Sequence, residues 1–195
     1  MTTRSFIARP TEAGGYDGIY VHLDGLPSHH LPLLLTAYQY RFNRDLEAMS
    51  RHLVDDVAIG WDELGTDLLD HAPPELFVAL TSGETWPSTQ PENLWTLDGS
   101  PPQRMTVNPG ATADLEWGYV LHPHGIEVIS LSEQHRGPVV GWATDPLYPF
   151  SDNPAMWAPT GPGPGRVPRT APKLSTTPVA TSVSAPASPS RTTRH

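Results

Sequence analysis

The chain has 195 residues, of which 23 are proline and none is cysteine, and its formal net charge is −9. This length fits about one domain, and the lack of cysteine excludes disulfide scaffolds, zinc ribbons, iron–sulfur clusters and thiol catalysis. The sequence contains no run of about 18 apolar residues of the kind that spans a bilayer. We therefore expect a soluble, cytoplasmic protein without membrane contact.

The charge is distributed unevenly along the chain. Residues 1–157 hold all 21 acidic residues but only seven of the 12 basic ones, a net charge of −14, whereas residues 158–195 carry +5. Nucleic-acid binding needs a basic face that displaces counterions from phosphates. The acidic part of the chain lacks such a face, so we expect no nucleic-acid partner.

The first third of the sequence predicts a β-hairpin followed by a helical hairpin. Residues 4–9 and 18–23 are strand-like, with glycine-rich turn residues between them. Ser28 is a favourable N-cap for the first helix and Asn43 for the second, with Gly60 as a stop. Apolar residues at helical spacing predict one core-facing stripe on each helix: Leu31, Leu34, Leu35, Tyr38 and Phe42, then Leu46, Met49, Leu53, Val54 and Val57.

The rest of the domain adds a short helix and three strands. A helix is predicted from about Pro74 to Thr81, because proline favours the first helical turn. Residues 84–113 are rich in turn formers, and strands are expected at 115–121, 126–131 and 139–143. Strands at both ends with helices between them predict an α+β fold, an antiparallel sheet of about five strands covered on one face by the helical hairpin.

Residues 158–195 have a different composition from the rest of the chain. They contain eight prolines and twelve serines or threonines, with no aromatic residue. Such a segment buries too little apolar surface to offset the ordering of its backbone. We expect a single domain over residues 1–157 and a disordered, basic, Pro/Ser/Thr-rich tail over 158–195.

Two N-terminal segments carry a family resemblance. Residues 3–7 read Thr-Arg-Ser-Phe-Ile, and residues 19–27 read Ile-Tyr-Val-His-Leu-Asp-Gly-Leu-Pro, ahead of a leucine-rich helix. This arrangement resembles a group of short uncharacterised phage and actinobacterial proteins that begin Ser/Thr-Arg-Ser-x-Ile and carry Tyr-x-His-Trp-Asp-Gly-Tyr-Pro. Leu23 and Leu26 stand where that group has tryptophan and tyrosine. The resemblance implies a phage or mobile-element origin and no particular activity.

A polar cluster follows the second predicted strand. His22 and Asp24 share one strand face, and a short loop then brings Ser28, His29 and His30 near the end of that strand. Imidazole and carboxylate groups are suitable ligands for zinc or another divalent ion. One hypothesis is therefore a metal-dependent hydrolase with His22, Asp24 and His29 as metal ligands.

Other interpretations of the same cluster involve no metal. Free N–H groups at the helix start, together with Arg4 or a histidine, suit a small anionic ligand such as a phosphate or carboxylate. The same sheet edge is within reach of His122 and His124, in a late tight loop. Alternatively, the cluster is structural, with Asp24 ordering the turn through a side-chain hydrogen bond.

The candidate nucleophiles and loops match no catalytic motif. No serine lies in a Gly-x-Ser-x-Gly elbow, and no glycine-rich loop precedes a Lys-Ser/Thr pair. Trp86 and Trp95, in the irregular region, are candidates for an exposed surface that binds a protein. The sequence thus favours an accessory protein that binds a protein or a small ligand without a cofactor, with the hydrolase as the alternative.

Overall fold

The computed structural model describes residues 2–91, 100, 103–112 and 114–159. Trp95 and most of the predicted tail lie outside the described residues. Within those residues the chain forms six strands and three α-helices: β1 (Ser5–Pro10), β2 (Tyr16–Val21), α1 (Pro27–Thr36), α2 (Leu46–Ser50), β3 (Gly60–Trp61), α3 (Pro74–Thr81), β4 (Trp117–His122), β5 (Gly125–Ser130) and β6 (His135–Gly141). None of these helices is long and apolar enough to cross a membrane.

The strands form one mixed sheet in the order β3-β2-β1-β4-β5-β6. The pairs β1–β2, β4–β5 and β5–β6 are antiparallel, whereas β1–β4 and β2–β3 are parallel. The α+β class is confirmed, but the predicted antiparallel sheet of about five strands is wrong. The helical hairpin is a crossover connection that returns the chain to the edge of β2, so Gly60, the predicted helix stop, opens a sixth strand parallel to β2.

The predicted apolar stripes are confirmed, although the helix caps differ from the prediction. Helix α1 continues through a π-helical turn (Ala37–Arg41), and α2 continues through a second one (Arg51–Asp55). Helix α1 already begins at Pro27, so Ser28 is not its N-cap. The cap of α2 is Asp45, whose Oδ1 accepts a hydrogen bond from the backbone N–H of Ala48 at 2.9 Å.

The sheet is packed on both faces. On the helix face, the side chains of Ile7, Ile19 and Tyr119 join those of the helices in one large apolar cluster. On the opposite side, which we call the outer face, a smaller cluster contains Phe6, Ala8, Tyr16, Val107, Val120 and Ile129. Strand β4, predicted to be half-buried, is buried on both faces, since Val120 belongs to the outer-face cluster and the ring of Phe6 covers Gly118.

Candidate functional site

The start of α1 lies on the helix face, and its free donors are occupied by the chain itself. The backbone N–H of Ser28 donates to Oδ1 of Asp152 at 2.9 Å, and the Ser28 hydroxyl donates to Oδ2 at 2.7 Å. The next two amides, those of the paired histidines, both donate to the Leu26 carbonyl at 3.0 and 2.9 Å. The carboxylate of Asp152 therefore stands where the sequence predicted an external anion.

The two histidines of α1 pack against neighbouring aromatic rings. His30 is fully buried, with Nδ1 3.4 Å from the Ser5 hydroxyl and its ring edge-on to Tyr119 at 5.2 Å. Burial, with a smaller effect of the neighbouring His29, holds the pKa of His30 well below its usual value. Burial also lowers the pKa of His29, and the nearby carboxylates offset this only in part. These rings serve the packing of the helix start.

The remaining residues of the predicted N-terminal cluster lie elsewhere. His22 follows β2 on the outer face, where its Nδ1 lies 2.8 Å from the hydroxyl of Tyr20. Asp24 is exposed, in a left-handed turn conformation with φ +54°, and Arg4 is also exposed. The turn therefore depends on the backbone of Asp24, with no hydrogen bond to its side chain within the described residues.

The hypothesis of a metal site at His22, Asp24 and His29 does not match this arrangement. His22 projects from the outer face, whereas His29 belongs to the helix that packs on the opposite face of the sheet. Alternate residues of a strand point to opposite faces, so strand and helix ligands need a common face to converge. In the described parts of the chain, no group of three or more His, Asp or Glu side chains is placed to hold a metal ion.

His122 and His124 lie at the opposite end of the strands from His22. Ser5 of β1 is aligned with both Val21 of β2 and Trp117 of β4. His122 comes five residues after Trp117, a distance of roughly 17 Å along a strand. The expectation that these histidines share a sheet edge with His22 is therefore wrong, because the parallel pairing of β1 and β4 separates them.

A charged group lies on the outer face of β5. Glu127 is only 8% exposed. Its Oε1 accepts a hydrogen bond from Nε of Arg136 at 2.9 Å, and its Oε2 accepts bonds from Nη2 of Arg136 at 2.7 Å and from Nε2 of His122 at 2.9 Å. Burial alone would raise the pKa of Glu127, but these hydrogen bonds and the positive charge of Arg136 outweigh it and lower the pKa.

Two stacked aromatic rings lie beside the Glu127–Arg136 pair. Gly118 of β4 leaves room for the ring of Phe6, since a Cβ at that position would lie 2.1 Å from the ring. Phe6 in turn stacks on Tyr16 with ring centroids 4.7 Å apart. The guanidinium of Arg136 lies over the Tyr16 ring at 6.0 Å, and its Nη1 donates to the Gly14 carbonyl at 3.0 Å. Arg136 is thereby fixed on two sides.

Next to Arg136, the outer face has a cavity of about 400 Å³. Apolar and polar side chains line it together: Tyr16, Pro109, Thr112, Leu115, Ile129, Leu131, Gln134, His135 and Arg136. None of the site residues predicted from the sequence is among them. The signal that points to this region is Glu127, a lone charge in the apolar run of β5, because a buried carboxylate requires a cationic or hydrogen-bonding partner.

The predicted tryptophan surface is only partly within the structure. Trp86 is half-buried, stacks on His29 at 6.4 Å and donates from Nε1 to the Leu64 carbonyl at 3.2 Å. Trp95 lies outside the described residues. Comparisons of the chain with protein-family models, curated proteins and solved structures found no match.

Proposed function

We propose that the protein is a non-enzymatic accessory protein that binds a small ligand in the cavity on the outer face of its sheet. The observation that carries the proposal is the convergence of a fixed guanidinium, an aromatic ring and apolar side chains around one open space. Ligand sites combine apolar walls with a few fixed polar groups, and the cavity of about 400 Å³ falls in the usual range of roughly 300–1,000 Å³.

The surroundings of the cavity support a preformed site. Tyr16 is held by its stack on Phe6, and Arg136 by two hydrogen bonds to Glu127 and one to the Gly14 carbonyl. Binding to groups that are already ordered avoids much of the entropy lost when side chains are immobilised.

A ligand-observed NMR screen of a small-molecule library against the full chain tests this function. Leu131 is half-buried at the cavity, so Leu131→Trp should fill the space and abolish binding of the hits. The matched control is Leu147→Trp, because Leu147 is 50% exposed and lies outside the cavity lining; it should leave binding unchanged. A screen without hits, or hits that bind the Leu131→Trp protein as well as the wild type, would contradict the proposal.

A further inference from the structure

The chemistry of the cavity points to a class of ligand. Resting on the proposed function, we infer that the cavity binds a small carboxylate with a compact apolar or aromatic body. Arg136 lines the cavity, whereas its partner Glu127 is not among the described lining residues.

Arg136 retains hydrogen-bonding capacity that the protein does not use. A guanidinium has five N–H donors. Within the described part of the chain, two of them are bonded to Glu127 and one to the Gly14 carbonyl, which leaves two. The two that remain are one on Nη1 and one on Nη2, and the side chain of Arg136 is 45% exposed. Two guanidinium N–H groups form a planar pair that matches the two oxygens of a carboxylate.

The rest of the lining suits an apolar body attached to that carboxylate. Leu115, Ile129 and Leu131 supply aliphatic surface, and Tyr16, whose ring contacts Phe6 and Arg136, borders the cavity. The described lining contains no aspartate or glutamate, and the carboxylate of Glu127 is already paired with Arg136. Glu127 balances part of the charge of Arg136, so recognition depends on directed hydrogen bonds more than on net charge.

Three probes of similar shape test the class: benzoate, the neutral benzyl alcohol and the cationic benzylamine. We expect benzoate to bind about tenfold more tightly than benzyl alcohol, as for hydrogen bonds to a charged donor, and benzylamine to bind most weakly. Isothermal titration at fixed ionic strength gives the affinities. Equal binding of benzoate and benzyl alcohol, or preference for benzylamine, would overturn the carboxylate inference and leave the binding function standing.

Two variants assign the selectivity to the cavity. Arg136→Lys keeps a positive charge but loses the planar donor pair, and should reduce the preference for benzoate by about tenfold. Because this variant also removes a bond to Glu127, Gln134→Glu provides a test that leaves Arg136 intact. It places a carboxylate at the exposed rim of the cavity. This change should lower the affinity for benzoate several-fold and leave the affinity for benzyl alcohol unchanged.

The control for the added charge is Gln103→Glu, at a position that is also exposed but lies outside the cavity; it should change neither the affinity for benzoate nor that for benzyl alcohol. If Gln134→Glu and Gln103→Glu weaken benzoate equally, the effect is one of overall charge and the inference fails. If benzoate does not bind at all, while the library hits bind the wild type and not Leu131→Trp, the carboxylate inference fails but the proposed function survives. If neither benzoate nor any library compound binds, both fail.

Discussion

The two faces of the sheet solve the same packing problem differently. On the helix face, the start of α1 is satisfied within the chain by Ser28 and Asp152, whereas Nε2 of the buried His30 has no hydrogen-bond partner among the described residues. On the outer face, a smaller apolar cluster is interrupted by Glu127, Arg136 and a cavity. The larger apolar cluster, on the helix face, contributes most of the packing, so the outer face can hold charged groups next to a cavity. Under the proposed function, the outer face is the recognition surface.

The largest expected difference between the faces is in the stability contributed by single leucines. Leu35 is fully buried on the helix face, so Leu35→Ala should lower the free energy of unfolding by about 2–5 kcal/mol. Leu131 is half-buried at the cavity, and Leu131→Ala should cost less than about 1 kcal/mol. Urea denaturation of both variants measures the contrast. Equal losses would show that the outer face is as tightly packed as the helix face.

A second expected difference concerns acid. Burial lowers the pKa of His30 below 6.5 in the folded state. As the pH falls, the unfolded chain therefore takes up a proton at His30 before the folded chain does. The stability contributed by neutral His30 is therefore fully present above about pH 6.5 and is lost as the pH falls below it. Between pH 6.5 and 5.5 this amounts to about 1 kcal/mol.

The variant His30→Leu should reduce this pH dependence by that amount, even if it alters stability at pH 8. His124→Gln, at an exposed position, is the control and should keep the wild-type dependence. The free energy of unfolding, measured by denaturant titration at several pH values, separates the two. An unchanged pH dependence in His30→Leu would mean that His30 takes up a proton in the folded state.

The helix face could be predicted from the sequence because its signals are local. Leucines at helical spacing identified the stripe on α1, and Pro74 and Thr81 bound α3 as expected. The sheet could not be predicted in full, since the parallel pairing of β1 with β4 joins segments about a hundred residues apart. The only trace of β3 in the sequence is Gly60–Trp61, which is too short to show alternation.

The candidate site was missed for the same reason. The sequence predicted a site at the histidines because imidazole is chemically versatile. In the structure, His22, His30 and His122 are separated by the strand order and by the two faces of the sheet. Arg136 and Tyr16 are ordinary in sequence and become a site only through tertiary contacts. Asp152 shows the same limit, because nothing local predicts that it fills the start of α1 from 124 residues away.

The smallest expected effect is at Asp24, in the turn that connects β2 to α1. Asp24 is exposed and adopts a left-handed conformation, which asparagine tolerates as well as aspartate. Asp24→Asn should therefore change the free energy of unfolding by less than about 0.5 kcal/mol. Asp24→Val, with a β-branched residue at positive φ, should destabilise measurably. Thermal unfolding distinguishes them, and a large loss for Asp24→Asn would assign the carboxylate a role beyond the turn.

The central claim, that the outer face is the recognition surface, is tested most directly by mapping where a ligand binds. Titrating ¹⁵N-labelled full-length protein with benzoate, while following backbone amide shifts by NMR, reports the site residue by residue. If the ligand binds in the cavity, the largest saturable shifts occur at Tyr16, Ile129, Leu131 and Arg136, and they are lost in Leu131→Trp. Saturable shifts centred on His29 and His30 at the start of α1, with none at the cavity, would contradict it.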